Sequence, residues 1–207
     1  MREITKYATS NLQMKGKLQM KIALVIFDRF TDLDLFLPWD LLNRVRSVAG
    51  VEDWQVKIVG TKDTHVSDAG LPIQTMGTID ELQEMDAVLF TSGVLVPELI
   101  QDPEYLSQLK LAPDRQWIGS MCSGALILAA LGLLEGKEAT TYPTRRKMLE
   151  KMNVKVVAQD FVSDGRIATA AGCLAAQQLA EWVIASTIGP KVAAQVLRTI
   201  QPVGKGL

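Results

Sequence analysis

Residues Gln116 to Leu134 read QWIGSMCSGALILAALGLL, and this stretch changes character in its middle. Gln116 to Ser120 has the pattern of a buried strand end, and Gly124 to Leu131 is rich in alanine and leucine, as expected of a buried helix. Three residues separate the two, so the chain must pass from strand to helix in a tight elbow. Cys122 lies at its apex, and the two small residues that follow let the backbone turn and the helix pack close to the sheet.

A cysteine at an elbow, at the carboxyl end of a sheet strand, is a candidate nucleophile. We expect Cys122 to lie near a helix N-terminus, whose free N–H groups and dipole favour the thiolate. Its pKa should then fall well below that of a free thiol. The alternative is an inert core residue, because free cysteine is among the most buried residue types. The elbow favours the reactive interpretation, since an inert cysteine does not need one.

Size and composition predict a globular protein with one α/β domain. The chain has 207 residues, of which 48% are hydrophobic and 22% are charged. A formal net charge of −1 offers no basic face for nucleic acid, and no apolar run reaches the roughly 18 residues that span a membrane. Two cysteines far apart do not form a secreted disulfide framework, so a reducing cytoplasm fits better.

The N-terminal segment differs from the rest of the chain. Residues 1–19 are polar and lack the apolar core of a signal peptide, and Met20 directly precedes the first apolar run. We expect residues 1–19 to be a flexible extension and residues 20–207 to form a single domain. His65 is the one histidine, and with Cys122 and Cys173 it forms no ligand-spaced set, so we expect no metal site and no cofactor.

Apolar runs and turn signals predict alternating strands and helices. The predicted strands are Lys21–Phe27, Trp54–Gly60, two short strands joined by a turn within His65–Gln74, Ala87–Phe90, the elbow strand, Ala139–Tyr142, Val154–Val157, Phe161–Ser163 and Ile167–Ala170. The predicted helices are Leu33–Leu42, interrupted or started by Pro38, then Pro97–Leu111, the elbow helix, Thr144–Met152, Leu174–Ile188 and Pro190–Ile200. This alternation predicts a three-layer α/β sandwich with a mostly parallel central sheet.

In such sheets the functional crevice lies beyond the carboxyl ends of the strands. Three of these ends carry suggestive residues: the loop before Asp34, the pair Ser92-Gly93, and Cys122. Asp32 is the better N-cap candidate for the helix that follows the first strand, which frees Asp34 for another role. We expect Cys173 to lie in the core, and Arg145 to belong to a solvated helix face.

Several motifs together resemble the ThiJ/PfpI superfamily. They are Leu33-Asp34-Leu35 with Pro38, Ser67-Asp68-Ala69-Gly70-Leu71, Ser120-Met121-Cys122-Ser123-Gly124, Gly132-Leu133-Leu134-Glu135-Gly136-Lys137, Ala139-Thr140-Thr141 and Ala170-Ala171-Gly172. The resemblance extends from Met20 to about Val203. It implies the flavodoxin-like fold of the class I glutamine amidotransferases, and within the superfamily the chain is most similar to isonitrile hydratase-like members.

The resemblance also implies roles for particular residues. The family's nucleophile falls on Cys122, and the aspartate of the isonitrile hydratases, a general acid or base, falls on Asp34. Ser123 takes the hydroxyl position after the nucleophile, and Ser92-Gly93 takes the place of a Gly-Gly turn that faces substrate or oxyanion. The family glycine before Pro38 is Leu37 here, and a usual acidic position is Gln177, so the substrate can differ. The implied enzyme hydrates an isonitrile to an N-substituted formamide, acts on a small electrophile and forms a homodimer.

Two alternatives stay open. One is a glyoxalase or deglycase reaction on small dicarbonyls, although relatives of that type place a histidine directly after the cysteine, where this chain has Ser123. The histidine His65 is expected at the surface, away from Cys122. The other alternative is a non-catalytic domain that senses a ligand, or senses oxidants through Cys122.

Overall fold

The computed structural model describes residues 19–202 and residue 204, so the predicted extension over residues 1–19 lies, except for its last residue, outside the described part. The strands are β1 Met20–Val25, β2 Trp54–Gly60, β3 Thr64–Val66, β4 Pro72–Gln74, β5 Gly77–Thr78, β6 Ala87–Phe90, β7 Trp117–Met121, β8 Glu138–Ala139, β9 Lys155–Val156, β10 Phe161–Asp164 and β11 Ile167–Ala170. Seven of them form the main sheet in the order β10-β11-β7-β6-β1-β2-β5, and only the β10–β11 pair is antiparallel. The mostly parallel α/β fold predicted from the sequence is confirmed.

Helices flank this sheet. They are α1 Asp32–Ala49, α2 Val96–Leu99, α3 Pro103–Gln108, α4 Ala125–Ala130, α5 Arg146–Glu150, α6 Ala176–Thr187 and α7 Pro190–Arg198, and short 3-10 turns span Ile79–Glu84, Cys122–Gly124, Pro143–Arg145 and Cys173–Ala175. The long helices α1, α6 and α7 pack against one another, and α4 packs against α2 and α5. Among the described residues, no helix is long and apolar enough to cross a membrane.

The order of the strands places a crevice at the centre of the sheet. The chain proceeds from β1 outward through β2 to β5, and then returns to β6 and proceeds the other way through β7 to β11. All four residues of β6 are buried, as the continuous apolar runs of a central parallel strand require. The reversal between β1 and β6 is the kind of switch point where open α/β sheets bind ligands.

The strand spans Trp54–Gly60, Ala87–Phe90 and Ile167–Ala170 occur as predicted, whereas the first helix does not. It continues through Pro38 to Ala49, and its buried residues lie on both sides of the proline, from Asp34 to Val45, so tertiary packing holds the helix together across Pro38. Asp32 is the first helical residue, so its prediction as the N-cap was wrong: Thr31 holds that position and makes no capping bond through its side chain.

Candidate active site

The site lies where the carboxyl ends of four adjacent strands meet. In the parallel register, Val25 of β1 lies beside Phe90 of β6, and Phe90 lies beside Ser120 of β7. Met121 lies beside Ala170 of β11. The residues that follow these strands therefore gather at one edge of the sheet, and this edge receives the three segments predicted to converge there.

Cys122 forms the apex of the elbow directly after β7. Its φ of 51° lies in the left-handed region, which residues other than glycine seldom adopt and which is often found at functional sites. The hydroxyl of Thr141 donates to the carbonyl oxygen of Cys122 at 2.7 Å and holds this turn. A Cβ on Gly124 would lie 2.8 Å from the carbonyl oxygen of Thr91, so this glycine is needed for the close approach of the turn to β6.

Asp34 lies in the first turn of α1 and is fully buried. One oxygen, Oδ2, accepts the backbone N–H of Ser92 at 3.2 Å, while Oδ1 has no hydrogen-bond partner among the described residues. Burial raises the pKa of the Asp34 carboxyl; the hydroxyl of Ser92 and the thiol of Cys173 lower it by less. A carboxyl group with a raised pKa is suited to hold and deliver a proton near neutral pH.

The thiol of Cys122 does not have the depressed pKa expected from its position at a helix start. Burial raises the pKa of Cys122, and the charge of Asp34 adds to this rise. The hydroxyl of Ser92, the N–H of Ser123 and the charge of Arg145 lower the pKa without reversing its direction. The prediction was wrong because loss of solvent outweighs the dipole of a helix that begins three residues later and has six residues.

The loop after β6 contacts both the aspartate and the elbow. The hydroxyl of Ser92 donates to Thr31 Oγ1 at 3.0 Å. The N–H of Gly93 donates to the hydroxyl oxygen of Ser123 at 3.3 Å, and that hydroxyl lies at the same distance from the Gly93 carbonyl oxygen. A Cβ on Gly93 would collide with the carbonyl oxygen of Arg29, so the close approach of these two loops requires glycine at this position.

Cys173 was predicted to lie in the core, and the structure contradicts this. It follows β11, is only partly buried, and its thiol lies beside the carboxyl of Asp34. Burial, together with the neighbouring Asp34, raises the pKa of Cys173 to about 12. Sequence reasoning missed this residue because its place at the site depends on β11 being the neighbour of β7, which no local pattern shows.

His65 was expected at the surface, and this was wrong as well. Its side chain is 2% exposed, with Nδ1 at 3.1 Å from an oxygen of Asp28. Its Nε2 accepts the backbone N–H of Thr61, so Nδ1 carries the proton and donates to Asp28, and the imidazole is held as one neutral tautomer. The hydrogen-bond partners of His65 are thus Asp28 and Thr61 rather than Cys122, and the residues described contain no cluster of three or more metal-binding side chains.

A hollow of about 140 Å³ opens over Cys122. Its lining includes the hydroxyl-bearing side chains Thr31, Ser92, Ser123, Tyr142 and Thr144, together with Arg145. A larger hollow of about 740 Å³ adjoins it across Tyr142 and contains Cys173 but not Cys122. Arg145, expected on a solvated face, is partly buried and lines the hollow over the elbow cysteine, because it belongs to the 3-10 turn that precedes α5.

Fold and site together define the class: an α/β protein with a mostly parallel sheet, a cysteine at a strand-to-helix elbow, and a buried aspartate near the same edge of the sheet. The chain belongs to the DJ-1/PfpI family, whose model matches residues 20–186.

Comparison with known proteins shows both enzymes and structures of this family. The chain is 30% identical to an isonitrile hydratase from Pseudomonas putida over 158 residues, which are 75% of this chain and 67% of the relative. It is 25% identical to a deglycase from Pyrococcus horikoshii over 151 residues, which are 70% of this chain and 86% of the relative. A crystal structure of a ThiJ/PfpI family protein from Pseudomonas syringae superposes with a TM-score of 0.77 at 25% identity and covers 93% of this chain and 81% of that one.

Proposed function

We propose that this protein is a cysteine-dependent hydratase of the isonitrile hydratase type, with Cys122 as nucleophile and Asp34 as general acid and base. One observation carries the proposal. The fully buried carboxyl group of Asp34 accepts the N–H of Ser92 in the loop that also bonds to the elbow, and its charge raises the pKa of the Cys122 thiol. The 30% identity to an isonitrile hydratase supports the choice of reaction.

The proposed reaction has two stages. The sulfur of Cys122 bonds to the terminal carbon of the isonitrile, and Asp34 delivers a proton to that carbon, which gives a covalent thioimidate. Water then adds to the same carbon, with Asp34 taking its proton. The hydroxyl group now on that carbon loses its proton as the carbonyl forms, the nitrogen gains a proton, and the carbon–sulfur bond breaks. An N-substituted formamide then leaves, with Cys122 restored as the thiolate and Asp34 protonated again.

Neighbouring groups support the charges that form. The N–H of Ser123 and the hydroxyl of Ser92 favour the thiolate of Cys122, which is both the attacking and the leaving group. The N–H of Gly93 donates to the Ser123 hydroxyl across 3.3 Å, a long bond that a developing negative charge on the substrate can replace. In well-studied enzymes one such donor is worth about 3–4 kcal/mol.

The test is conversion of a simple alkyl isonitrile to its formamide, run beside conversion of methylglyoxal to lactate. Cys122→Ala should abolish formamide production, and Asp34→Asn should reduce turnover by about 10²–10⁴-fold. Asp32→Asn is the matched control, because it makes the same change two residues away, where the carboxylate accepts the N–H of Ala69 and no other hydrogen bond from the described residues. This control should keep full turnover.

Other outcomes point elsewhere. Lactate formation without isonitrile turnover would assign the protein to the glyoxalase or deglycase type. Methylglyoxal is tested because the chain is also similar to deglycases from Pyrococcus. Turnover of neither substrate, with Cys122 readily oxidised by peroxide, would favour a redox sensor.

We also propose that the protein acts as a homodimer whose interface lies near the site. Leu33 and Phe36 are exposed by 43% and 37% on one face of α1, and Leu174, on the adjacent 3-10 turn, is exposed by 70%. Apolar side chains grouped in this way often mark a protein interface. Sedimentation equilibrium should give twice the monomer mass, and Phe36→Glu should shift the protein to a monomer. A monomer in the unaltered protein at micromolar concentration would contradict the proposal.

A further inference from the structure

The hollow over Cys122 contains one charged lining residue, and it is a cation. Arg145 lines this hollow together with the thiol and several hydroxyl groups, and the other lining side chains are uncharged. The backbone N–H of Arg145 donates to the Tyr142 carbonyl oxygen at 2.8 Å, which fixes the turn that presents the residue. The cation is therefore a built part of the site.

Arg145 has no acidic partner of its own in the described part of the chain. Its side chain forms no salt bridge or hydrogen bond within residues 19–202, and its charge acts on the nearby thiol of Cys122. The next residue behaves differently: Arg146 pairs with Glu150 at 2.8 Å and also contacts the carbonyl oxygen of Val156. A partly buried guanidinium without a carboxylate of its own offers its donors to whatever enters the hollow.

We propose that Arg145 binds a carboxylate of the substrate, so that the site takes small anionic electrophiles. The guanidinium presents two parallel N–H donors, which match the two oxygens of a carboxylate. The hollow of about 140 Å³ has room for a small ligand that carries a carboxylate and a short electrophilic arm. The electrophilic carbon then lies at Cys122 while the carboxylate lies at Arg145. This inference names the substrate class of the proposed hydratase and rests on that function only for the reaction type.

A pair of alkylating reagents tests the anion site without any turnover. Iodoacetate and iodoacetamide both alkylate the thiolate of Cys122, and they differ in that only iodoacetate carries a carboxylate. The ratio of their rates therefore reports carboxylate binding and is independent of the fraction of thiolate. Arg145→Gln should lower the iodoacetate-to-iodoacetamide ratio by about 10-fold or more, measured by mass spectrometry of the Cys122 peptide.

Two variants complete the test. Arg146→Gln removes the same charge one residue away, from a guanidinium that pairs with Glu150, and should leave the ratio unchanged. Arg145→Lys keeps the charge and should retain part of the preference. If Arg145→Gln slows both reagents equally, the residue acts only on the thiolate and the proposal is overturned. An equal fall of the ratio in Arg146→Gln would also overturn it, because the effect would then be one of general surface charge.

Turnover of isocyanoacetate and of its neutral methyl ester extends the test to the substrate. The unaltered protein should prefer the acid in kcat/KM, and Arg145→Gln should lose that preference. If the ester is turned over at least as fast as the acid, and Arg145→Gln leaves the iodoacetate-to-iodoacetamide ratio unchanged, the anion site is overturned while the hydratase function stands. If neither compound is turned over, but Arg145→Gln lowers the iodoacetate-to-iodoacetamide ratio, the anion site stands and the hydratase function is excluded.

Discussion

The hydroxyl of Thr141 donates a hydrogen bond of 2.7 Å to the carbonyl oxygen of Cys122, and so connects the loop after β8 to the elbow. Cys122 has a φ of 51°, a conformation that costs about 1–2 kcal/mol in a residue with a side chain. The bond from Thr141 helps to hold that conformation, which aims the thiol into the hollow.

Thr141→Val should therefore reduce kcat/KM by about 10-fold with a loss of about 1 kcal/mol in the free energy of unfolding. Thr140→Val is the matched control: it removes a bond of 2.6 Å from the hydroxyl to the carbonyl oxygen of Gln159, away from Cys122. It should cost similar stability and leave activity intact. Steady-state kinetics and urea unfolding of both variants check this. Equal losses of activity in the two would mean that the bond to the elbow has no special role.

Asp34 should make both turnover and stability depend on pH. Folding raises its pKa above the ordinary 3.8, so its contribution to stability is fully present below that value and is lost as pH rises through the folded pKa. Asp34→Asn removes this loss, so its stability relative to the unaltered protein should grow between pH 4.5 and 8. Turnover of the unaltered protein should pass through a maximum, because rising pH ionises the thiol of Cys122 but removes the proton that Asp34 donates.

Urea unfolding and kcat measured at matched pH values check these two trends. A stability difference for Asp34→Asn that stays constant with pH would show that the carboxyl group keeps its ordinary pKa in the folded protein.

The two thiols should differ in reactivity. Burial raises the pKa of both, and that of Cys173 to about 12. The rate of iodoacetamide labelling at Cys122 should keep increasing above the roughly 8.5 at which a free thiol titrates, while Cys173 stays unlabelled at pH 9. Mass spectrometry of the two peptides across pH 6 to 10 measures this. Labelling of Cys173 before Cys122 would instead assign the reactive thiol to the end of β11.

His65 should contribute to stability in a different range of pH. Folding lowers its pKa, mainly through burial, so its contribution is fully present above the ordinary value of 6.5 and is lost as pH falls below it. Asp28 has a lowered pKa and adds its own loss only below about 3.8. His65→Gln should flatten the dependence between pH 7.5 and 5.5. An unchanged slope in the variant would assign that dependence to other groups.

The local sequence determined the elbow, the central strands and the fold class. The apolar runs at Trp54–Gly60, Ala87–Phe90 and Ile167–Ala170 are read from neighbouring residues alone, because a strand buried on both faces needs an unbroken apolar stretch. The same holds for the elbow, where a strand pattern meets a helix pattern across three residues. Parallel topology then placed the segments of Asp34, Ser92 and Cys122 at one edge of the sheet.

Only the tertiary structure decided what surrounds these groups. The position of Cys173 beside Asp34 depends on the pairing of β11 with β7. These two segments lie about 50 residues apart in the sequence, and no local pattern shows which strands pair. The raised pKa of Cys122 depends on how many atoms displace water around it, and Arg145 reaches the hollow because its turn packs there. Strand order and the loss of solvent around a side chain both depend on contacts between residues that are far apart in the sequence. Residue patterns along the chain therefore determined the fold, whereas three-dimensional packing determined the chemistry of the site.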